Sequence, residues 1–300
     1  MSTEFKIANA PISYGVYGDV GLPDGGVDRM LGDLAAAGYA GSELGPPDLF
    51  GTPAETNRRF RDHGLQVAGS YIPIHFAGSP DLFEADLRSM NQVIENLVAC
   101  GSAMAIVADE GSDLLLAHPR HGTSLGLSDA QWQTLFDRLR IVTDRLRAEG
   151  LEVSFHPHIS TFIESSHEID RLLNGSDITL TFDTGHIFLS GADLSQVCSQ
   201  WVDRISHVHL KDVISGPMEA AIAQRRQDFN EWWPALNVPL GSGEVDLVGV
   251  VNTLTRSGYE GWFVVEQDSA PATESSWAQT TLAQRGNYDW VAQALSDSRP

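Results

Sequence analysis

The stretch Thr181-Phe182-Asp183-Thr184-Gly185-His186 closes an apolar run with an acid and a histidine three residues apart. Similar endings recur at Phe155-His156-Pro157-His158, His207-Val208-His209-Leu210-Lys211-Asp212 and Phe263-Val264-Val265-Glu266-Gln267-Asp268. Each run is long enough for one buried strand, and each stops at side chains that ligate metals or move protons. These four strands fall near 151–156, 178–183, 205–210 and 262–266, and earlier runs of the same kind lie near 5–10, 39–44, 66–72 and 103–108. Between most of them come amphipathic helical patterns at 27–37, 53–63, 81–99, 128–149, 165–173, 193–203, 246–257 and 275–295. Ser128 is a helix cap, and Gly38, Gly64, Gly101, Gly150 and Gly258 mark helix ends.

Eight strands alternating with eight helices predict an α/β protein folded as a single (β/α)8 TIM barrel over 1–300, in preference to an open doubly wound sheet. A barrel brings the carboxyl ends of all strands to one face, where Glu43, His156, Asp183, His209 and Glu266 would meet. An open sheet would spread them along an edge. The long connections 109–127 and 212–244 are expected over that face, shaping or covering a pocket.

Composition narrows the function. With 42% hydrophobic and 20% charged residues the chain can bury a sizeable core. A net charge of −21 repels phosphate backbones and anionic lipid, which argues against nucleic acid and membrane partners. No apolar run approaches a membrane span and the first residues lack a signal peptide's pattern, so a cytoplasmic location is expected. Cys100 and Cys198 are too few for a disulfide framework or a thiolate zinc site.

His156, Asp183, His209 and Glu266, one from each of the last four strand ends, mix imidazole and carboxylate as Mn²⁺, Co²⁺ or Zn²⁺ prefer. The competing reading of Asp183 is a helix cap. His158 shares a side with His156, whereas His207 and His209 are read as facing opposite sides of their strand. Glu164 and His167 are assigned to a surface turn and helix start. Glu43 either binds sugar hydroxyls or caps a helix; Lys211 either holds a developing oxyanion or forms a salt bridge. Trp232, Trp233 and Phe229 either stack on a sugar ring or anchor the long loop.

Together with Ala10-Pro11-Ile12-Ser13-Tyr14-Gly15-Val16, Ser42-Glu43-Leu44-Gly45-Pro46 and Pro239-Leu240-Gly241-Ser242-Gly243-Glu244-Val245-Asp246, these motifs resemble the xylose-isomerase-like TIM-barrel superfamily, and within it the inosose dehydratase branch of inositol catabolism. The resemblance runs from about residue 7 to 295. It implies a divalent metal, Mn²⁺ or Co²⁺ first and Zn²⁺ or Mg²⁺ next, held by Asp183, His209, Glu266 and a residue on the fifth strand. That fifth-strand residue is usually Glu, and here His156 stands in its place. Two-glutamate epimerisation is thereby disfavoured, and a lyase that enolises a keto-inositol or related cyclic ketose and eliminates water is favoured. The resemblance further implies His158 or Glu266 as base, His186 or His158 as acid, and Glu43, His186, Lys211, Asp212, Asp268 and Trp232 around the substrate. The alternatives are β-elimination from a 3-keto-glycoside, with a small accessory subunit, or ketose isomerisation or epimerisation. A non-catalytic sugar-binding module is a further alternative, and a homo-oligomer fits any of these. A DNA-repair endonuclease of the same barrel type is opposed by the charge of −21.

Overall fold

A computed structural model describes residues 5–101, 104–121, 124–225 and 229–298, without the side chains of Asn230 and Glu231. Eight parallel strands close into a barrel, neighbour to neighbour in chain order, with the last returning to the first. They are β1 (Lys6–Asn9), β2 (Gly41–Leu44), β3 (Gln66–Ile74), β4 (Met104–Asp109), β5 (Glu152–His156), β6 (Thr179–Asp183), β7 (Ile205–Leu210) and β8 (Trp262–Val265). Each overlaps the run expected for it, β3 continuing past 72 to Ile74 and β4 past 108 to Asp109.

Alternation along the strands divides the residues between two environments. Phe155, Phe182, Val208, Leu210 and Phe263 belong to the main apolar core with helix residues such as Leu135, Leu139, Leu172 and Leu254. Each such side chain contributes about 1.5–3 kcal/mol by leaving water. The other set points into the barrel: Ala8, Ala10, Ala68 and Val264 form a small cluster of their own, and Ser154 and Thr181 share a 2.6 Å hydrogen bond. Polar residues are therefore stacked inside the barrel, and the strand ends carry the uppermost layer.

The helices obey the punctuation in the sequence. Ser128 accepts from Gln131 N while the Gln131 side chain returns a bond to Ser128 N, a capping box at the start of Asp129–Ala148. Gly38, Gly64, Gly101, Gly150 and Gly258 all have φ between 66° and 107°, the left-handed conformation that lets the chain leave a helix. Two ladders slip: β2 against β3 between Ser42 and Leu44, and β6 against β7 between Leu180 and Thr181.

The connection 109–127 contains the short helix Asp113–Leu116, and 212–244 contains Gly216–Ala223, Phe229–Trp232 and an antiparallel pair, Asp212–Val213 with Asn237–Val238. Residues 122–123 and 226–228 of these connections lie outside the described residues. In the second connection Val213, Met218, Ala221, Trp232, Trp233 and Leu236 form an apolar cluster with Ile159 and Leu189, which lie outside it. No described helix is long and apolar enough to cross a membrane.

Candidate active site

At the carboxyl end of the barrel, β5, β6, β7 and the residue after β8 bring His156, Asp183, His209 and Glu266 together, with donor atoms all within 4.8 Å of one another. His156 Nε2 stands 3.3 Å from Asp183 Oδ2. His209 Nδ1 is 3.6 Å from the same oxygen and 3.2 Å from Glu266 Oε2. Ligands about 2.0–2.2 Å from a tetrahedral ion are about 3.4 Å apart, so this spacing is that of a coordination shell. His209 Nδ1 is also buried without a hydrogen-bond partner. An unpartnered imidazole nitrogen aimed between two carboxylates fits a divalent cation.

The Asp183 stretch resolves both of its readings at once. Oδ1 accepts from Gly185 N at 2.8 Å and His186 N at 2.9 Å, capping the short helix Thr184–Leu189, while Oδ2 faces the other donors. Gly185 is needed because Lys211 runs across it: a Cβ there would lie 2.8 Å from Lys211 Cδ and Cγ. Thr184 Oγ1 completes the arrangement by donating to Lys211 O at 2.7 Å and accepting from Lys211 N at 2.9 Å.

Lys211 is buried among acids, with Nζ 3.1 Å from Glu266, 2.9 Å from Asp268 and 3.7 Å from Asp183. Burial alone would lower its pKa, but Asp268, Glu266 and Asp183 override it and raise the value, so Lys211 is an ammonium. Asp183 is likewise desolvated, yet Lys211 and the nearby imidazoles hold it well below the usual carboxylate range. His209 is driven well above its ordinary value by Glu266 and Glu43 against desolvation. The two outer histidines go the opposite way: burial and His156 lower His158 to about 3, and burial and His158 push His186 well below its ordinary value.

These two rings form the rim. The His158 and His186 rings are tilted at 38° with centroids 3.8 Å apart, and Trp233 stacks on His186 at 4.9 Å and 8°. His158 Nδ1 donates to Ile159 O at 2.7 Å, leaving its Nε2 with the lone pair. Ile159 N donates to His186 Nδ1 at 3.4 Å. Asp268 accepts from Trp233 Nε1 at 2.7 Å, which ties the long connection to the end of β8.

Several expectations need correction. His207 and His209 do not face opposite sides: residues two apart on a strand share a face, and both Nε2 atoms meet Glu43 Oε1, at 2.6 and 2.8 Å. Glu43 is neither a helix cap nor turned toward the rim, being buried beneath His209. Asp212 does not line the pocket; its carboxylate accepts from Gly241 N, Gly243 N and Val245 N. A Cβ at Gly243 would lie 2.2 Å from Asp212 Oδ1, so glycine is required where that loop wraps the carboxylate. Both tryptophans belong to the connection's apolar cluster, but Trp233 also reaches the site, its ring stacked with those of His186 and Phe229. Glu164 is not in a surface turn: it is 2% exposed, accepts from Ser160 N and lies 3.5 Å from His121. His167 does start the helix Ser166–Gly175 on the surface.

Sequence reading missed Tyr71 and Glu110. Tyr71 OH donates to Glu110 Oε1 at 3.3 Å, and its ring meets the His156 ring edge-on at 6.0 Å. An aromatic residue within β3 and an acid after β4 were the available signals, and they carry weight only once the barrel is closed. Asp109, at the end of β4, is buried with Oδ1 unpartnered, and desolvation raises its pKa to about 7.

An eight-stranded barrel carrying a His/Asp/His/Glu set on its last strand ends defines the class: the chain belongs to the xylose isomerase-like TIM barrel family, whose model matches residues 31–285. It is 30% identical over 290 residues to an inosose dehydratase of Geobacillus kaustophilus, covering 93% of this chain and 92% of that one. It is 29% identical over 251 residues to an inosose dehydratase of Salmonella agona, covering 81% of each. Among solved structures, the IOLI protein with a binding zinc atom superposes with a TM-score of 0.74 at 12% identity, over 98% of this chain and 99% of that one, a likeness of fold. The chain is an enzyme of the lyase or isomerase/epimerase kind.

Proposed function

We propose that the chain is a metal-dependent lyase that enolises a keto-inositol or a related cyclic ketose and expels water. The observation that carries this reading is the composition of the upper ring: one glutamate, Glu266, and an imidazole, His156, where a second glutamate would be needed for symmetrical epimerisation. Kinship to inosose dehydratases along nearly the whole chain supports the same reaction.

His156, Asp183, His209 and Glu266 would hold the ion. When bound, a divalent metal supplies positive charge at a carbonyl oxygen and a neighbouring hydroxyl, acidifying the α-hydrogen. The Lys211 ammonium pairs with Glu266 and Asp268 and adds a second positive charge beside the substrate oxygens. His158 Nε2, with its lone pair fixed by the Nδ1 bond to Ile159, takes the α-proton. The carbon electron pair then forms the new double bond as the β-hydroxyl leaves. That hydroxyl takes the proton from the His158 imidazolium, which returns the ring to its neutral form. His186, in contact with His158 and backed by Trp233, holds the ring in position and narrows the entrance to water.

The test is incubation of Mn²⁺-loaded protein with a panel of keto-inositols, 3-keto-glucosides and free ketoses, followed by mass spectrometry. Loss of one water from a keto-inositol is the expected result. Release of an aglycone, or an isomer of unchanged mass, would replace this function with deglycosylation or epimerisation.

A further inference from the structure

Beneath the ring of donors lies a second cluster, Glu43, His207 and His209, that shares one histidine with it. We propose that Glu43, seated by His207, is a positioning residue that fixes the His209 tautomer and so presents Nδ1 to the metal. This inference rests on the metal-dependent reading above.

An imidazole that ligates a metal ion is neutral and carries a single ring proton. His209 has carboxylates at both edges: Asp183 and Glu266 at Nδ1, 3.6 and 3.2 Å away, and Glu43 at Nε2, 2.8 Å away. Had the proton settled at Nδ1, it would point at Glu266 and block the position where an ion must bind. Glu43 makes the shorter contact, and it is a hydrogen bond, whereas Nδ1 has no hydrogen bond. In the ligating state the proton therefore belongs at Nε2 and the lone pair at Nδ1. A metal-bound histidine is ordinarily oriented by a carboxylate or carbonyl acceptor at its other nitrogen.

A carboxylate oxygen buried away from water is held in place by the hydrogen bonds it accepts. The second donor is His207 Nε2, 2.6 Å from the same Oε1 that receives His209. His207 thereby fixes the oxygen on which the tautomer depends. The backbone helps to aim both groups, since one ladder slips at Glu43 and the other immediately before His207. A local slip turns a strand relative to its neighbour and redirects a side chain. The cluster is not itself a second metal site, because contacts of 2.6 and 2.8 Å are hydrogen bonds and fall short of the about 3.4 Å between ligands of one tetrahedral ion.

The decisive experiment measures Zn²⁺ affinity of the full chain by chelator competition, in wild type, Glu43→Gln and His207→Gln, with circular dichroism to confirm folding. Glu43→Gln should bind zinc about 10–100-fold more weakly, and His207→Gln should lose less, while both still take up one ion. In the zinc-loaded wild type, nitrogen NMR of labelled histidine should find the metal on His209 Nδ1 and the proton on Nε2. Unchanged affinity in a folded Glu43→Gln, or zinc on Nε2, would overturn the clamp while leaving the metal site intact. A wild type that binds no zinc would overturn the metal reading, and the clamp with it.

Discussion

Two clusters of histidine and carboxylate occupy successive layers of one barrel and share His209, yet they are built for different work. In the upper one the donors stand 3.2 Å and more apart, and a buried nitrogen is left without a partner. In the lower one a single oxygen receives two N–H groups at 2.6 and 2.8 Å. The residue types are the same, so spacing alone separates a shell awaiting an ion from a hydrogen-bonded support. Residue type does not tell the supporting layer from the shell, because both contain only ligand-type residues.

Removing Asp183 should break this comparison most severely. Asp183→Asn takes out the carboxylate that faces His156, His209 and Lys211, so bound metal and turnover should fall by more than the roughly 100-fold that loss of a supporting partner costs. Elemental analysis and a product assay would read both. His158→Asn separates ion holding from proton transfer: metal content should remain, and turnover should drop by about 10²–10⁴-fold. Near-normal turnover would remove His158 from the mechanism.

Asp212→Ala tests an acid that neither cluster uses. Its three backbone partners would lose their acceptor, which should lower stability by about 1–3 kcal/mol in a denaturation experiment while leaving zinc affinity unchanged. Asp109 gives an effect that depends on pH. Its carboxyl is raised from 3.8 to about 7 on folding, so the native state binds the proton more tightly than the unfolded chain. Stability is therefore greatest below the unfolded value and declines as pH rises through that window. Asp109→Asn, which keeps an oxygen for Gly111 N and Phe162 N, should flatten that decline and show a higher melting temperature than wild type at pH 8.

The eight strands and their helices were legible because apolar runs, caps and terminal glycines are local signals. Asp183, His209 and Glu266 were legible for a related reason: each ends a run, and barrel closure assembles strand ends without fine geometry. Glu43 required more, since its role depends on two ladder slips that no run of residues announces. The choice between Trp232 and Trp233 turned on how a long connection folds back, and adjacent tryptophans look alike in sequence. His207 was a different matter. The period of two along a strand already put it beside His209, and the pattern was read the wrong way.

The measurement that bears most directly on this division of labour is the metal stoichiometry of the purified chain after saturation with Mn²⁺ or Zn²⁺ and removal of excess ion. One ion per chain, lost in Asp183→Asn, is the predicted result. Two ions per chain would make the lower cluster a metal site as well, and none would contradict the coordination shell itself.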